Sequence, residues 1–173
     1  MASIASLNRY PALRPYMAGA DHLDVKSITG AVDLRSFIAG MLAYHPWWLK
    51  LLFGLRQALV VLLGLERHAL PTATKGRRPA EVPFAPGGRI AFFTVRTAAP
   101  DRYWVAETPE DKHLAAYVGV VAEPAGNRRR RFHVFTAVRY RHWTGPVYFN
   151  LIRPFHHLVV RRMMKAGAAC KSC

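Results

Sequence analysis

The period of the apolar residues changes at Arg89, and this change constrains the fold more than any other feature of the sequence. From there to Trp143, apolar and polar residues alternate in four segments, "RIAFFTVR", "RYWVAE", "HLAAYVGVVAE" and "RRFHVFTAVRYRHW". A period of two is typical of β-strands, and the short turn-like connections between the segments favour antiparallel hairpins. The sequence therefore predicts an antiparallel sheet in a chain of 173 residues, which is long enough for one domain with a sizeable core.

The last of these segments assigns the two faces of the sheet. One face is mostly apolar and comprises Phe132, Val134, Thr136, Val138 and Tyr140. The opposite face carries three arginines, at positions 131, 139 and 141. Antiparallel sheets commonly pack one face on the core and leave the other in water. We therefore expect a sheet with one buried side.

The residues before Arg89 predict one further strand and two helices. Leu23 and Val25 alternate with polar residues in a weak strand pattern. Asp33 precedes "LRSFIAGMLAYH" and can cap the first helix, because its carboxylate can accept hydrogen bonds from the free amides of the first turn. Pro46 ends this helix and suits the first turn of a second one.

The second helix, predicted over residues 46–65, is the most hydrophobic segment of the chain. Its length approaches that of a membrane span, but Lys50 and Arg56 would lie in the apolar layer, each at a cost of ~3 kcal/mol. We therefore expect a helix that packs on the protein. An interfacial membrane helix is the alternative.

The segment 145–165, "GPVYFNLIRPFHHLVVRRMMK", predicts a long C-terminal helix. At 3.6 residues per turn, one broad apolar stripe comprises Tyr148, Leu151, Ile152, Phe155, Leu158 and Val159. The face opposite is polar. Pro154 removes one backbone hydrogen bond, at ~3 kcal/mol in an ordinary helix interior, so we expect a kink there. The stripe should pack on the apolar side of the sheet.

Three segments resemble an uncharacterised bacterial family that also occurs fused to nucleotide-sugar-epimerase-like domains. They are "DKHL" at 111–114, "AVRYRHWTGPVYFNLIRPFHHLVVRRMMK" at 137–165 and "PWWLKLLFGLRQALVVLLGL" at 46–65. The family is grouped with the START and Bet v 1-like superfamily, and the resemblance covers roughly residues 20–166. It implies an α+β helix-grip fold, in which an antiparallel sheet wraps a long C-terminal helix and two helices follow the first strand. It supplies a type of cavity and no catalytic residues.

The corresponding domain organisation is an N-terminal arm over residues 1–20, one helix-grip domain over 21–166 and a C-terminal tail over 167–173. The cavity between sheet and helix should be lined by Phe132, Val134, Thr136, Val138, Tyr140, Tyr148, Ile152 and Phe155. Apolar walls with a few hydroxyl groups suit a small apolar or amphipathic ligand. A filled core without a ligand is the alternative interpretation of the same residues.

Two other function classes stay open. A cyclase- or dehydratase-like enzyme in the same cavity would need a polar group that reaches the ligand, and Thr136, Tyr140 and Arg96 are the candidates. A module that binds a membrane surface or another protein is suggested by the 46–65 helix and by the net charge of +15. The Arg128–Arg131 run is interpreted as a solvated basic edge, since no motif for specific nucleic-acid binding accompanies it.

The remaining titratable residues do not predict a metal or cofactor site. His156 and His157 point about 100° apart on a helix, and His113 and His133 fall on the outward face of their strands, so we expect the histidines at the surface. Glu107, Glu110 and Asp111 are expected to be solvated turn acids.

The chain ends suggest a cytoplasmic protein. The first 20 residues lack a continuous apolar segment and make a poor secretory signal, although a transit-like or disordered arm is compatible with them. Cys170 and Cys173 have the spacing of half a zinc site. Without a second such pair, we expect an exposed tail.

Overall fold

A six-stranded antiparallel sheet organises the protein, in a computed structural model that describes residues 2–48, 51, 54, 78–109 and 114–170. Its strands are β1 (His22–Gly30), β2 (Arg89–Ile90), β3 (Phe93–Ala99), β4 (Tyr103–Glu107), β5 (Leu114–Pro124) and β6 (Arg130–Tyr140). Their order across the sheet is β1-β6-β5-β4-β3-β2. The first strand therefore lies at one edge, beside the last.

The described helices are α1 (Ala2–Asn8), α2 (Arg14–Met17), α3 (Leu34–Ala43) and the C-terminal helix α4 (Thr144–Ala169). Short 3₁₀ turns cover Pro11–Leu13 and Pro79–Glu81. The predicted cap of α3 is present, since the Ser36 amide donates to Asp33 Oδ1 at 2.8 Å. A long terminal helix on one antiparallel sheet is the helix-grip arrangement, so the predicted α+β fold is confirmed.

The second predicted helix, 46–65, lies mostly outside the described residues. Its residues 47, 48, 51 and 54 are helical. The side chains of Trp47 and Leu51 are exposed, at 78% and 68%. Among the helices that can be described, none combines the length and the hydropathy of a membrane span.

The predicted strand that starts at Arg89 is in fact two strands. Ile90 pairs with Phe93 across a two-residue turn, in which Ala91 takes a positive φ of 54°. The paired Ile90 and Phe93 are both buried although they lie three positions apart, so the turn shifts the inward and outward pattern by one residue. Ala91 and Phe92 are also apolar, and this run of four apolar residues hides the shift in the sequence.

The core between the sheet and the helices is densely packed around α3. The rings of Phe37 and Phe132 stack with their centroids 4.0 Å apart. Gly40 of α3 and Gly167 of α4 allow the two helices to approach closely, since a Cβ built at Gly167 would lie 2.6 Å from the carbonyl oxygen of Phe37. The C-terminal half of α4 is thereby held against α3.

The second face of the sheet is also buried, so the expectation of one buried side is wrong. Leu7 and Leu13 of the N-terminal residues are fully buried against the face that carries Phe135 and Ala137. Arg139 reaches across this face and donates to backbone carbonyls of the same N-terminal segment. Residues 2–20 are thus helical and packed, in contrast to a disordered arm.

The C-terminus departs from the prediction in one respect. Helix α4 continues to Ala169, and Cys170 is 8% exposed. The expectation of an exposed Cys170 is therefore wrong, because the residue packs beside Gly40. Cys173 lies outside the described residues. The division into 1–20, 21–166 and 167–173 stays a prediction.

Candidate functional site

The face of β1 that points toward the helices is polar. His22 stands opposite Val138 in the β1–β6 ladder, and Lys26 stands opposite Val134. Asp24 lies between them on the same face, because alternate residues of a strand share a side. Three polar side chains therefore border an otherwise apolar strip of β6, at the edge of the sheet.

Helix α4 places further rings above these residues. Phe149 and His156 lie seven positions apart and so share one face of the helix. The Phe149 ring is 4.8 Å from the ring of His22 and 6.2 Å from that of His156, measured between centroids. A row of three rings thus connects the edge strand to the underside of α4.

His157 closes the outer side of this group through two contacts at one nitrogen. Its Nδ1 lies 2.9 Å from Lys26 Nζ and 3.3 Å from Asp24 Oδ2. Lys26 also forms an ion pair with Asp24. The contact with Lys26 requires Nδ1 to accept a hydrogen bond and the contact with Asp24 requires it to donate one, so the tautomer of His157 selects its partner.

The surroundings of the histidines in this group favour the neutral form. Burial lowers the pKa of His156 to about 4, and the positive charge of Lys26 acts in the same direction. Burial and neighbouring cations, Arg153 among them, also lower the pKa of His22 and of His157. Neutral imidazoles offer one donor and one acceptor each, which suits the binding of a polar ligand group.

The charge of Lys26 is balanced between opposing effects. Burial, and next the positive charge of Arg161, lower the pKa of Lys26 to about 8. The contacting Asp24 carboxylate opposes this shift, because a nearby negative charge stabilises the ammonium form. Lys26 and Asp24 therefore form an ion pair that is weakly solvated, with side-chain exposures of 12% and 20%.

Two buried nitrogen atoms of the group lack a hydrogen-bond partner within the described part of the chain. They are Nε2 of His22 and Nε2 of His156. A buried polar atom without a partner costs about 1–3 kcal/mol. A bound molecule with a polar end would supply the missing hydrogen bonds, so the pair marks a candidate binding position.

The structure separates the eight predicted lining residues into three groups. Phe132 and Val134 lie at the end that α3 fills, where Phe132 stacks on Phe37. Five residues lie at the end of the sheet that bears His22 and on the part of α4 near it, namely Thr136, Val138, Tyr140, Tyr148 and Ile152. Phe155 is 43% exposed and lies apart from both groups.

The exposure of Phe155 reflects a rotation of α4 relative to the predicted stripe. The helix buries Phe149, Val160, Met164 and Gly167 in addition to Tyr148, and His156 is partly buried on the same side. Its sheet-facing side is therefore turned by about one residue position, roughly 100°, from the most hydrophobic stripe. Hydrophobicity pointed to the wrong side because α4 is apolar on its outer side as well, while its inner side includes a histidine and two glycines.

Residues outside the prediction contribute most of the polar chemistry. His22, Asp24 and Lys26 were missed because Leu23 and Val25 looked like the buried side of β1, whereas those two side chains pack with the N-terminal residues. His156 was expected at the surface. Its spacing of seven residues from Phe149 places both on one face of the helix. This spacing indicates burial of His156 only once it is known that α4 buries the Phe149 face.

The opposite face contains a second histidine network. His133 is 2% exposed, with Nδ1 2.7 Å from Ser27 Oγ and Nε2 3.1 Å from Glu123 Oε2. Its outward direction was predicted correctly, and its exposure was not, because the N-terminal residues cover it. Among the predicted turn acids, Glu107 is 6% exposed and pairs with Arg96 on this face, so it is not solvated. Glu110, Asp111 and His113 lie outside the described residues.

Two surface cavities lie at the other end of the sheet. One of about 540 Å³ surrounds the β5–β6 turn and includes Arg128 and Asp101. The other, of about 310 Å³, lies between Arg35 and Phe84. Neither is lined by a predicted site residue. Within the part of the chain described here, no three metal-ligating side chains converge.

Comparison with known proteins identifies a family and several distant structures. A family profile described as "Protein of unknown function (DUF2867)" matches residues 16–163. No protein with a curated description matches the chain. A hypothetical protein from Helicobacter pylori is 13% identical over 95% of each chain, with a TM-score of 0.45.

Two further solved structures have a similar chain path. A START superfamily protein from Mycobacterium smegmatis is 10% identical and aligns over 85% of this chain and 97% of its own, with a TM-score of 0.43. Norcoclaurine synthase from Thalictrum flavum, in complex with dopamine and hydroxybenzaldehyde, is 13% identical over 88% and 89%, with a TM-score of 0.38. At this distance, function has to be argued from the geometry of the chain itself.

Proposed function

The chain belongs to the DUF2867 family, and we propose that it binds a small amphipathic molecule between β1, β6 and the first half of α4. The polar end of the molecule would meet His22 and His156. Its apolar part would lie along Thr136, Val138, Tyr140, Tyr148, Phe149 and Ile152. The sequence resembled an uncharacterised family, and the family match confirms this resemblance. The proposal adds a binding position to it.

The observation that carries the proposal is the pair of unpartnered Nε2 atoms in a mostly apolar interface. Proteins rarely leave buried polar atoms without a hydrogen bond. Two such atoms, as found here, cost a substantial part of the net stability of a domain, which is about 5–15 kcal/mol. An amphipathic ligand would satisfy both nitrogens and would contact the buried Val138 and Phe149 side chains. A purely apolar ligand would leave the two nitrogens unpaired.

The way in which α4 is held supports the proposed location. Its second half packs on α3 through Gly40 and Gly167, which leaves no room for a ligand there. In its first half, the Phe149 ring contacts the rings of His22 on β1 and Tyr140 on β6. Pro154 provides no amide hydrogen for the Asn150 carbonyl, so the first half can tilt away from the sheet at a lower cost than an unbroken helix.

Binding of 1-anilinonaphthalene-8-sulfonate, an amphipathic fluorescent probe, tests the site with two adjacent substitutions. Ile152→Trp adds a large ring to the part of α4 that would contact the ligand, and we expect it to weaken binding about tenfold or more. Leu151→Trp adds the same ring on the outer side, where Leu151 is 50% exposed, and should leave the affinity unchanged. Equal effects of the two variants would contradict the proposed location.

A second candidate function adds proton transfer to the same site. The contacts among Lys26, Asp24 and His157 favour it, because they place an acid, a base and an imidazole within hydrogen-bond distance. Native mass spectrometry can identify a molecule that co-purifies with the protein. The molecule is then incubated with the wild type and with Asp24→Asn. Conversion by the wild type alone supports a dehydratase- or cyclase-like reaction. Equal amounts of product from both proteins exclude a role for Asp24.

A further inference from the structure

The outer side of α4 carries a continuous row of exposed apolar side chains. Their exposures are 74% for Trp143, 52% for Val147, 50% for Leu151, 43% for Phe155 and 46% for Leu158. Steps of four, four, four and three residues place them in one stripe along the helix, with a length of about 22 Å. We call these five residues the outer stripe.

The outer stripe lies almost opposite the side of α4 that packs on the sheet. Leu151 follows Phe149 by two positions, and Leu158 follows His156 by two, which corresponds to about 200° around the helix. The five side chains stay exposed beside the described part of the chain. Single exposed apolar residues are ordinary, but a contiguous row of this size indicates an interaction surface.

Basic residues bracket the outer stripe at both ends. Arg141 precedes it, and Arg161, Arg162 and Lys165 follow on the next turns of α4; all four are exposed. The last 50 residues, 124–173, contain no acidic side chain, whereas they contain eleven of the 25 lysines and arginines. The surface around the stripe is therefore strongly positive.

We propose that the outer stripe docks on an anionic lipid bilayer, with α4 lying in the plane of the membrane surface. The apolar side chains would enter the boundary between headgroups and acyl chains, and the basic residues would contact anionic headgroups. Trp143, the most exposed of the five, suits the interface because indole rings prefer that depth. This surface is separate from the ligand site, which lies on the inner side of the same helix.

Charge decides between a bilayer and a second copy of the chain. Two copies that met through the outer stripe would bring Arg161, Arg162 and Lys165 of each into the same contact, and no acidic residue of α4 would compensate them. Like charges in an interface are unfavourable. An anionic bilayer supplies the opposite charge over the whole length of the helix.

Vesicle co-sedimentation of the full chain tests the proposal. The wild type is compared on phosphatidylcholine vesicles and on vesicles that contain about 30% phosphatidylglycerol, at low and at physiological salt. Leu151→Glu removes apolar contact and adds a negative charge, and we expect it to weaken binding to anionic vesicles at least tenfold. The matched control is Ile4→Glu, which alters an equally exposed residue, at 50%, in α1 on the other face of the sheet.

The expected pattern is binding to anionic vesicles alone, loss in Leu151→Glu and retention in Ile4→Glu. Circular dichroism verifies folding, and Leu158→Glu serves as a second stripe variant if Leu151→Glu does not fold. Indifference of the wild type to anionic lipid at low salt overturns the proposal. Binding that both stripe variants retain also overturns it, because it would mean a general charge effect. A dimer in light scattering that Leu151→Glu dissociates overturns it as well.

Discussion

His156 combines burial, a lowered pKa and an unpartnered nitrogen, and it lies on α4 directly above the edge of the sheet. A neutral imidazole in this position can donate or accept one hydrogen bond to a ligand without introducing a charge into an apolar space. The adjacent His157, one position further along the helix, reaches Lys26 and Asp24 at the outer side. Neighbouring residues of one helix thus lie at the inside and at the rim of the proposed site.

The lowered pKa of His156 predicts a pH-dependent stability. Between pH 6.5 and about 4 the unfolded chain binds a proton on this histidine and the folded chain does not, so the free energy of unfolding falls as the pH falls. The loss attributable to His156 should reach roughly 2–4 kcal/mol by pH 4. Well above pH 6.5 the histidine is neutral in the folded and in the unfolded state, so it causes no loss of stability there.

Urea unfolding of wild type and His156→Gln at several pH values checks this prediction. Glutamine does not titrate, so the difference in unfolding free energy should shift in favour of the variant as the pH is lowered from 7 to 4. His22 and His157 titrate in both proteins and cancel in the comparison. Parallel pH profiles of the two proteins would show that the pKa of His156 is the same in the folded and unfolded states, which contradicts the lowered pKa.

At the scale of single residues, local chemistry was predictable and long-range burial was not. The Asp33 cap depends on residues three positions apart, and the sequence contains all the information it needs. The polar side chains of β1 face the helices only because the N-terminal residues cover the other face. The segment "DHLDVKSI" contains no indication that residues 2–20 cover the other face, so Asp24 and Lys26 looked like the exposed side.

At the scale of elements, the close crossing of α3 and α4 fixes one half of α4 and leaves the other half for the proposed site. The two glycines bring the helix backbones so close that the C-terminal half of α4 is fixed, and the first half is left on the edge of the sheet. The amphipathic period of α4 was predicted correctly, and its orientation was not. Periodicity shows that a segment is helical and has an apolar side. Which side is buried depends on packing partners such as Gly40, which lie far away in the sequence.

The substitution Gly167→Ala tests the close crossing. The added Cβ would lie 2.6 Å from Phe37 O and 2.9 Å from Met41 Cγ, so a helix has to move. We expect a loss of about 1–3 kcal/mol in unfolding free energy, in spite of the better helix propensity of alanine. Gly54→Ala is the control, because a Cβ there meets no described atom within 4 Å, and it should be neutral or slightly stabilising. Equal stabilities of the two variants in urea would contradict the crossing.

At the scale of the whole molecule, the sheet separates two cores. One lies under α3 and α4, and the other is formed by the N-terminal residues with Phe135, Ala137 and Val121. The alternation of β5 and β6 predicted the first core correctly. The second core was missed, because the arginines of β6 suggested a solvated face, whereas Arg139 spans that face and binds backbone carbonyls.

Truncation of Leu13 measures the contribution of the second core. Leu13 is fully buried, so Leu13→Ala should lower the free energy of unfolding by about 2–5 kcal/mol. Ile4→Ala, at a residue that is 50% exposed in the same segment, should cost less than about 1 kcal/mol. Chemical denaturation of both variants checks the prediction, and similar small losses would mean that the segment contributes little to the fold in solution.

The central claim is that an amphipathic molecule binds with its polar end at His22 and His156, and histidine-selective NMR tests it most directly. Among the eight histidines, the signals of these two can be assigned with His22→Gln and His156→Gln. On titration with 1-anilinonaphthalene-8-sulfonate, both signals should shift with the dissociation constant measured by fluorescence, while that of the exposed His142 stays in place. If the fluorescence saturates and the signals of His22 and His156 do not move, the probe binds elsewhere and the proposed site is wrong.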